Sequence, residues 1–520
     1  MSDTFWQGLA MTVYLVAMLV IGWYSYRRTH NLGDYMLGGR DLSPSVAALS
    51  AGAADMSGWL LMGLPGAIYA SGLIEAWIAI GLTVGAWLNW KFVAPRLRAY
   101  TQVANNSITV PSFFDNRLRD TSRALRIASG VIILVFFTFY VSSGMVAGGV
   151  FFQSSFGWDY RSGMLLVAAV EVTYTLVGGF LAVSYTDFVQ GLLMMTALIL
   201  VPLFGLVAVG GFGGFADAVN AADAQEGLNR LVMLPPEMTG AAAIGLISAV
   251  AWGLGYVGQP HIITRFMALR STADATAGRR IGIGWMILSI SGAVFTGIVG
   301  VAYFQEQGWT HLQGTETETI YIRLGQIFFH PLVAGFMLAA VLAAIMSTVA
   351  SQLIVTSSAL VEDVYKALGR QSHSDKHYVF LGRLAVLAVS LVAISMAWTQ
   401  SDTILRLVAF AWAGFGASFG PIVVLSLYWR KLTAAGALAG MVTGAVIVGL
   451  WGNHVFGKEG IFALYEIVPG FVGNLLVAIV VSMLTYRPRP EIDEEFDRTL
   501  AVVRAGRDGE EAAARSTSTP

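Results

Sequence analysis

Long apolar runs separated by short polar connections dominate the chain, and their length predicts membrane spans. A helix needs about 20 mostly apolar residues to cross the roughly 30 Å of hydrocarbon in a bilayer. Windows of that length predict thirteen spans, centred near Val16, Asp55, Gly81, Val135, Ala169, Ala197, Leu254, Ile290, Leu342, Ala388, Phe415, Gly444 and Leu475. We therefore predict an all-α polytopic membrane domain over residues 1–486. The polar residues 487–520 are predicted to form a disordered cytoplasmic tail.

Composition agrees with this interpretation and excludes several functions. Hydrophobic residues make up 56% of the chain and charged residues 12%, against a charged share of about 25% in soluble proteins. A net charge of -1 leaves no basic surplus for a nucleic-acid partner. The sequence has no P-loop for a nucleotide, no His-Glu-x-x-His zinc motif and no cysteine,. Transport driven by an ion gradient is the remaining default, and an intramembrane enzyme is the alternative.

The basic residues are distributed unevenly between alternate connections. One set of connections, with the C-terminal tail, holds 26 of the 31 lysines and arginines. Basic residues concentrate in cytoplasmic loops. The pattern predicts an outside N-terminus and a cytoplasmic C-terminus in the plasma (inner) membrane, which only an odd number of spans allows.

Two predicted spans carry residues that interrupt a helix. In the second span, Asp55 stands beside Ser57 and Gly58, and a Gly-Leu-Pro-Gly sequence follows; in the seventh, three glycines and a proline fall between Trp252 and Pro260. A backbone break at membrane depth is tolerated only inside protein or beside a cavity. The two spans lie five apart, which predicts inverted repeats over residues 44–210 and 240–428. The alternative is that the glycines only permit close helix packing.

The ninth predicted span supplies hydroxyl groups. Ser347 and Thr348 offer neutral hard oxygens of the kind that a partly dehydrated Na+ requires. Backbone carbonyls released by the unwound second span could complete such a shell. The alternative is that both hydroxyls bond back to carbonyls of their own helix.

Three stretches carry a resemblance to a known family. They are Ser50-Ala-Gly-Ala-Ala-Asp-Met-Ser-Gly-Trp-Leu-Leu-Met-Gly-Leu-Pro-Gly-Ala, Gly178-Gly-Phe-Leu-Ala-Val-Ser-Tyr-Thr-Asp-Phe-Val-Gln and Trp252-Gly-Leu-Gly-Tyr-Val-Gly-Gln-Pro-His-Ile-Ile-Thr-Arg-Phe-Met. Together they resemble the sodium:solute symporter family, and the first and third resemble its proline-transporting branch. The resemblance implies a LeuT-type 5+5 core with one helix before it and two after it. It also implies a secondary transporter, not an enzyme, that imports L-proline with Na+ by alternating access, with membrane lipid around it and a monomer possible. The alternatives are another amino acid or small organic solute, or coupling to H+ through Asp55 or Glu171.

The resemblance also implies functional residues. The sodium site would comprise the carbonyls of Ala53, Met56 and Ala344 with the hydroxyls of Ser347 and Thr348. The proline site would comprise Ser57, Gly58, Tyr140, Trp252, Tyr256 and Pro260, where half-helix amides suit a carboxylate and aromatic rings suit the apolar ring and ammonium.

Three charged residues are assigned to coupling or gating by the same resemblance. Asp55 corresponds to an essential carboxylate, although it could instead cap the half-helix amides. Asp187 would begin the sixth span on the sodium exit route, or serve only as a helix cap. Arg40 would gate the cytoplasmic side, or contribute only to the charge bias. Ala54 and Glu171 depart from the family pattern, where Ser and an apolar residue are expected.

Overall fold

The computed structural model describes residues 2–27, 36–368, 374–400, 402–457 and 459–506. Within these ranges the secondary structure is helical, with no strand. The longer helices are α1 (Asp3–Tyr26), α2 (Pro44–Asp55), α3 (Leu64–Ser71), α4 (Ala76–Leu88), α5 (Ala94–Val103), α6 (Val110–Leu118), α7 (Ala124–Phe156), α8 (Tyr160–Ala208), α9 (Gly211–Glu226), α10 (Gly240–Ala251), α11 (Pro260–Met267), α12 (Asp274–Glu306), α13 (Ile320–Phe328), α14 (Pro331–Ser358), α15 (Asp375–Met396), α16 (Ile404–Tyr428), α17 (Ala434–Gly452), α18 (Ile467–Thr485) and α19 (Pro490–Ala505).

Eleven helical stretches of the described chain are long and apolar enough to cross a membrane. The two other predicted spans are the interrupted pair α2 and α3, and the first part of α8. Helix α8 changes direction at Gly179, where φ is 61° and ψ is -172°. The all-α prediction is confirmed, whereas the count of thirteen spans stays a prediction.

The break between α2 and α3 releases backbone carbonyls. Helix α2 ends because Met56 has φ -85° and ψ 78°. The amide of Ser57 then bonds to the carbonyl of Asp55 at 3.0 Å, instead of the helical acceptor on Ala53. The amide of Leu60 likewise bonds to Ser57 at 3.0 Å instead of Met56. The predicted interruption is therefore present, and it removes helical donors from the carbonyls of Ala53 and Met56.

The second break lies between α10 and α11. Trp252–Gly258 form a 3-10 helix, Gln259 is extended, and Pro260 begins α11 because its missing N–H is not needed at a helix start,. A Cβ on Gly258 would lie 2.4 Å from the carbonyl oxygen of Phe415. The glycines thus permit close packing as well as unwinding, and the interpretation that they serve packing alone is wrong.

The prediction of a disordered tail is wrong for Pro490–Ala505, which form helix α19. Its Phe496 is buried and lies edge-on to the ring of Tyr100, with centroids 6.1 Å apart. Ion pairs join its Glu495 to Arg119 and its Asp497 to Arg430. The remaining predicted tail, residues 507–520, lies outside the described residues.

Candidate functional site

Helices α2 and α14 bring four of the predicted sodium ligands together. The hydroxyl of Ser347 donates to the carbonyl of Ala53 at 2.7 Å and to that of Ala344 at 3.2 Å. The hydroxyl of Thr348 donates to Ala53 at 3.3 Å. All four residues are buried. Met56 is buried at the same break, but the hydrogen bonds that define the cluster do not include its carbonyl.

The chemistry of this cluster fits a sodium ion. It consists of neutral carbonyl and hydroxyl oxygens, which are the hard ligands that such a cation prefers. The contact of Ser347 with Ala344 is a bond within its own helix, as the alternative interpretation requires. The contacts of Ser347 and Thr348 with Ala53 cross from one helix to another, so that alternative does not account for the whole cluster.

Asp55 joins the two broken helices. Its carboxylate accepts a hydrogen bond from the Tyr256 hydroxyl, while its second carboxylate oxygen is buried with no hydrogen-bond partner in the part of the chain that the structure describes. Its backbone carbonyl accepts from the Trp59 indole at 3.2 Å and from the Tyr140 hydroxyl at 3.4 Å. The backbone amide of Trp59, near the start of the second half-helix, donates to the Ser57 hydroxyl at 3.5 Å and not to Asp55. The contacts of the Asp55 side chain are therefore with the opposite repeat and not with the amides that a cap would serve.

A Tyr256→Phe substitution is expected to destabilise the protein by about 1–3 kcal/mol, because the Asp55 carboxylate loses its hydrogen-bond donor while it stays buried. Thermal unfolding in detergent measures the effect. Tyr428→Phe is the control, since the Tyr428 hydroxyl also donates one hydrogen bond, to the backbone carbonyl of Phe92, but Tyr428 is exposed. A Tyr256→Phe protein as stable as the control would contradict the assigned contact.

The predicted aromatic residues gather at the second break. The ring of Trp252 lies 5.4 Å from that of Tyr465 and 6.4 Å from those of Trp59 and Trp412. The ring of Tyr256 lies 5.1 Å from that of Trp412. Sequence reasoning missed Trp412 and Tyr465, because aromatic residues are common in spans and nothing local distinguishes these two.

The remaining predicted substrate residues lie at the edges of this group. Tyr140 is buried on α7, with its ring 6.0 Å from that of His261. A Cβ on Gly58 would lie 2.9 Å from the Cβ of Ala147, which is on α7 with Tyr140. Pro260 borders a separate small cavity beside Thr109. Pro260 is thus the predicted substrate residue with the weakest link to the aromatic group.

Asp187 does not begin a helix, so the predictions of a span start and of a helix cap there are wrong. It is buried within α8, which changes direction earlier, at Gly179. Its carboxylate accepts from the Ser50 hydroxyl at 2.7 Å and lies 3.2 Å from the Arg265 guanidinium. Arg265 also donates to the Ser351 hydroxyl at 2.6 Å. This buried ion pair therefore connects α2, α8, α11 and α14.

Sequence reasoning gave no role to Arg265, Ser50 or Ser351. Two signals were present. A buried arginine in an apolar segment requires an acidic partner, and Ser351 follows Ser347 by one helical turn, on the same face.

Arg40 joins several segments at one end of the molecule. Its guanidinium donates to the carbonyls of Ser107 at 2.6 Å and Met267 at 2.8 Å, and to the Thr101 hydroxyl at 3.0 Å. Beside it, the amide of Leu42 bonds to a carbonyl at the end of α11 at 3.0 Å. These contacts hold the segment before α2 against α5 and α11. Arg40 thus has specific partners, beyond any contribution to a charge bias.

The opposite end of the molecule is open. A cavity of about 770 Å3 lies there, and its lining includes Ser142, Ser248, Arg406 and Tyr465. Arg406, in the cavity lining, is near the start of α16. The end of α16 lies on the side of Arg40, because helix α5 contacts both: its Arg96 donates to the carbonyl of Leu427, and its Thr101 accepts from Arg40. The cavity therefore lies at the end of α16 away from Arg40, and Tyr465 is the member of the aromatic group that lines it.

Glu318 lies at this open end, in a short helix that precedes α13. Its carboxylate accepts hydrogen bonds from the amides of Ile404 at 3.0 Å and Leu405 at 3.2 Å, which are free donors in the first turn of α16,. Burial raises the pKa of Glu318 to about 7, and the two amides oppose that rise. Glu318 thereby fixes the start of a helix that borders the cavity.

Glu171 lies apart from these groups. It is buried in the first part of α8, and neither carboxylate oxygen has a hydrogen-bond partner among the described residues. An unpaired charge in such a position is costly. Glu171 is therefore a buried carboxyl group without a polar partner among the described residues.

The fold and the two broken helices define a multi-pass membrane protein of the LeuT-type transporter class. A Na+-coupled sialic acid symporter, solved in a substrate-bound outward-open state, superposes with a TM-score of 0.77 at 18% identity, covering 94% of this chain and 99% of that one. The structure of MhsT in complex with L-phenylalanine superposes with a TM-score of 0.51 at 14% identity, covering 84% of this chain and 98% of that one. The sequence pattern of the sodium:solute symporter family matches residues 35–444. The chain belongs to the sodium:solute symporter family.

Several curated relatives match over nearly their full lengths. The high-affinity proline transporter PutP of Bacillus subtilis is 56% identical, over 92% of this chain and 98% of that protein. The osmoregulated proline transporter OpuE of the same organism is 50% identical, over 92% of this chain and 95% of that protein. The sodium/proline symporter of Staphylococcus aureus is 48% identical, over 96% and 97%. The resemblance identified from three sequence motifs is thus confirmed at the level of the family.

Proposed function

We propose that this protein imports L-proline together with Na+ by alternating access. The observation that carries the proposal is the oxygen cluster of Ala53, Ala344, Ser347 and Thr348, which lies at the broken helix of a chain in the sodium:solute symporter family. The names of the relatives supply the substrate. The protein is proposed to be a transporter and not an enzyme.

Sodium is assigned to the oxygen cluster, with the Met56 carbonyl as a further ligand. Binding there would hold α2 against α14, because the ion would replace the hydroxyl-to-carbonyl hydrogen bonds with shared coordination. Asp55 lies two residues after Ala53 and would raise the local affinity for cations. Its contact with Tyr256 offers a direct connection between the ion and the aromatic group.

Proline is assigned to the space between the broken helices. Its carboxylate suits the amides near Ser57 and Gly58. Its apolar ring and its ammonium suit the faces of Tyr140, Trp252 and Tyr256, through burial and cation-π attraction. The cavity of about 770 Å3 would admit the substrate, and release toward the other side would require the contacts of Arg40 to open.

The orientation is part of the proposal. With 26 of 31 basic residues in one set of connections and the tail, the end that holds Arg40 would face the cytoplasm and the open end would face outward,. The protein would reside in the plasma membrane, with its N-terminus outside. This arrangement suits uptake into the cell.

Uptake of labelled proline into proteoliposomes tests the function. An inward Na+ gradient is expected to drive accumulation, and Na+ is expected to tighten proline binding, because two ligands that favour one state strengthen each other. Equal proline affinity with and without Na+ would contradict coupling. Uptake driven by a pH gradient at zero Na+ would favour the proton alternative, for which Glu171 is the candidate carboxyl group. A panel of other labelled amino acids distinguishes proline from related solutes.

A further inference from the structure

A second cavity, distinct from the transport site, lies where three helices meet. It has a volume of about 510 Å3 and shares no residue with the sodium cluster or the aromatic group. Its walls are the end of α18, the start of α17, the start of α19 and the loop that follows α6. It is on the side of the protein where the basic residues concentrate.

Positive charge dominates the lining of this cavity. The charged lining residues are Arg119, Arg430, Arg487 and Arg489, with Asp120 and Asp493. The Asp120 carboxylate is already occupied, since it accepts from the amides of Ser122 at 3.0 Å and Leu125 at 2.9 Å. Asp493 lies 3.9 Å from Arg430. The bonds from the amides leave the negative charge of Asp120 in place, and Glu495 and Asp497 of α19 pair with Arg119 and Arg430. Four carboxylates therefore lie among the four arginines, and what matters is which arginines lack a paired carboxylate.

Two of the arginines have no acidic partner within the described chain. Arg119 and Arg430 form ion pairs with carboxylates of α19. Arg489 donates only to the backbone carbonyl of Arg119, at 3.4 Å, and Arg487 has no polar contact with another described residue. Arg487 and Arg489 are both exposed. Their charges are thus available to an anion in the cavity.

The first turn of α17 adds further donors. Ala434 and Ala435 line the cavity, and the amides in the first turn of a helix have no acceptor within that helix,. The positive end of the helix dipole points the same way, and α17 has 19 residues,. The amide of Gly436 is already bonded to the Thr433 hydroxyl at 3.1 Å, so Ala434 and Ala435 carry the first-turn amides that border the cavity beside the arginines.

The position of the cavity indicates which anion it takes. Leu484 lines it and is 81% exposed, and its neighbour Met483 is 67% exposed, both in the last turn of the apolar helix α18. Tyr486 follows, with the Lys431 ammonium 5.8 Å from its ring centre. Exposed apolar residues face lipid tails and such aromatic residues mark the membrane interface. The cavity therefore opens at the level of the lipid phosphates.

We propose that this cavity binds the phosphate of an anionic phospholipid, with the acyl chains along Met483 and Leu484. Basic pockets between helices on the cytoplasmic side suit such headgroups. The phosphate would bridge the linker that carries Arg487 and Arg489 to the start of α17. Bound lipid would thereby hold α19 against the membrane domain.

Native mass spectrometry of the full-length protein in detergent tests this site. Phosphatidylglycerol is expected to bind more tightly than phosphatidylcholine. Changing Arg487→Gln and Arg489→Gln together is expected to weaken phosphatidylglycerol binding by about tenfold or more, since each basic group near anionic lipid contributes substantially. Changing Arg487→Lys and Arg489→Lys together keeps both positive charges, so this variant is expected to retain most of the phosphatidylglycerol binding. That result would show that the cavity still forms when these two side chains are replaced.

The pair Arg279→Gln and Arg280→Gln is the control, because it removes the same charge near the start of α12, among the same set of basic residues. It is expected to leave binding unchanged. Equal losses from both glutamine pairs would show general electrostatic attraction and overturn the proposal, as would unchanged binding in the Arg487 and Arg489 pair. Inorganic phosphate is titrated separately, and binding as tight as that of phosphatidylglycerol would assign the cavity to free phosphate instead of lipid. None of these outcomes depends on transport, so the lipid site can fail while the proposed function stands.

Discussion

Substituting Ser347→Ala is expected to raise the Na+ concentration for half-maximal proline uptake about tenfold or more, while the protein still inserts and folds. The Ser347 hydroxyl contacts the carbonyls of both Ala53 and Ala344. A hydrogen bond or ligand contact to a charged group contributes about 1.5–3 kcal/mol, which corresponds to at least tenfold in affinity. Thr348→Ala is expected to act in the same direction. Uptake measured against Na+ concentration in proteoliposomes gives the values.

A hydroxyl on the same helix provides the control for this experiment. The Ser358 side chain bonds back to the carbonyl of Ile354 in its own helix, at 2.9 Å. Ser358→Ala is therefore expected to leave the Na+ dependence unchanged. If Ser347→Ala and Thr348→Ala also leave it unchanged, the proposed ion site is wrong, whatever their effects on maximal rate.

Arg265→Gln is expected to destabilise the protein by about 3–5 kcal/mol, because it leaves the Asp187 carboxylate buried without its cationic partner. Both side chains are essentially inaccessible, and they lie 3.2 Å apart. The double variant Arg265→Gln with Asp187→Asn is expected to recover much of this loss, since neither charge remains. Thermal unfolding of Arg265→Gln, Asp187→Asn and the double variant in detergent measures the coupling between the two residues.

An exposed ion pair serves as the comparison. Arg406 and Asp402 lie 3.3 Å apart, and their side chains are 59% and 34% exposed. Arg406→Gln is expected to cost less than about 1 kcal/mol, since exposed pairs are solvated and screened. A double variant at the buried pair that is no more stable than Arg265→Gln alone would show that the two charges are not coupled.

The buried ion pair also bears on how the repeats move. Arg265 is on α11 and Asp187 is on α8, while the hydroxyls of Ser50 and Ser351 come from the two helices that form the oxygen cluster. Movement of α2 relative to α14 would therefore disturb the ion pair and the oxygen cluster together. Arg40 adds separate contacts, which hold the segment before α2 against α5 and α11. These contacts are candidates for what changes when access alternates.

Local sequence was sufficient to predict an all-helical membrane protein and the two interruptions. Apolar length sets whether a segment can cross the bilayer, and glycine and proline act on the backbone where they stand. The breaks after Asp55 and at Trp252–Gly258 follow from these local properties. Ser347 and Thr348 were selected from chemistry, because hydroxyls opposite a broken helix suit a cation, and the structure places both against Ala53. Their role as sodium ligands stays a prediction.

The partners of individual side chains could not be predicted in the same way. Ser347 and Ala53 are 294 positions apart, and their hydrogen bond exists only because α14 packs against α2. Asp187 was misplaced at a helix start because the bend at Gly179 depends on how α8 packs. The tail composition suggested disorder, yet α19 is held by Phe496 and by arginines far away in the sequence.

The sequence by itself thus determined the membrane-spanning class, the two broken spans and the family, since these depend on apolar length, backbone chemistry and short motifs. Only the tertiary structure decided which oxygens converge, that Asp187 pairs with Arg265, and that Arg40 contacts Ser107, Thr101 and Met267. It also decided that the C-terminal helix joins the start of α17 in forming a basic cavity. The physical reason is that these features arise from contacts between distant segments, which no local pattern encodes.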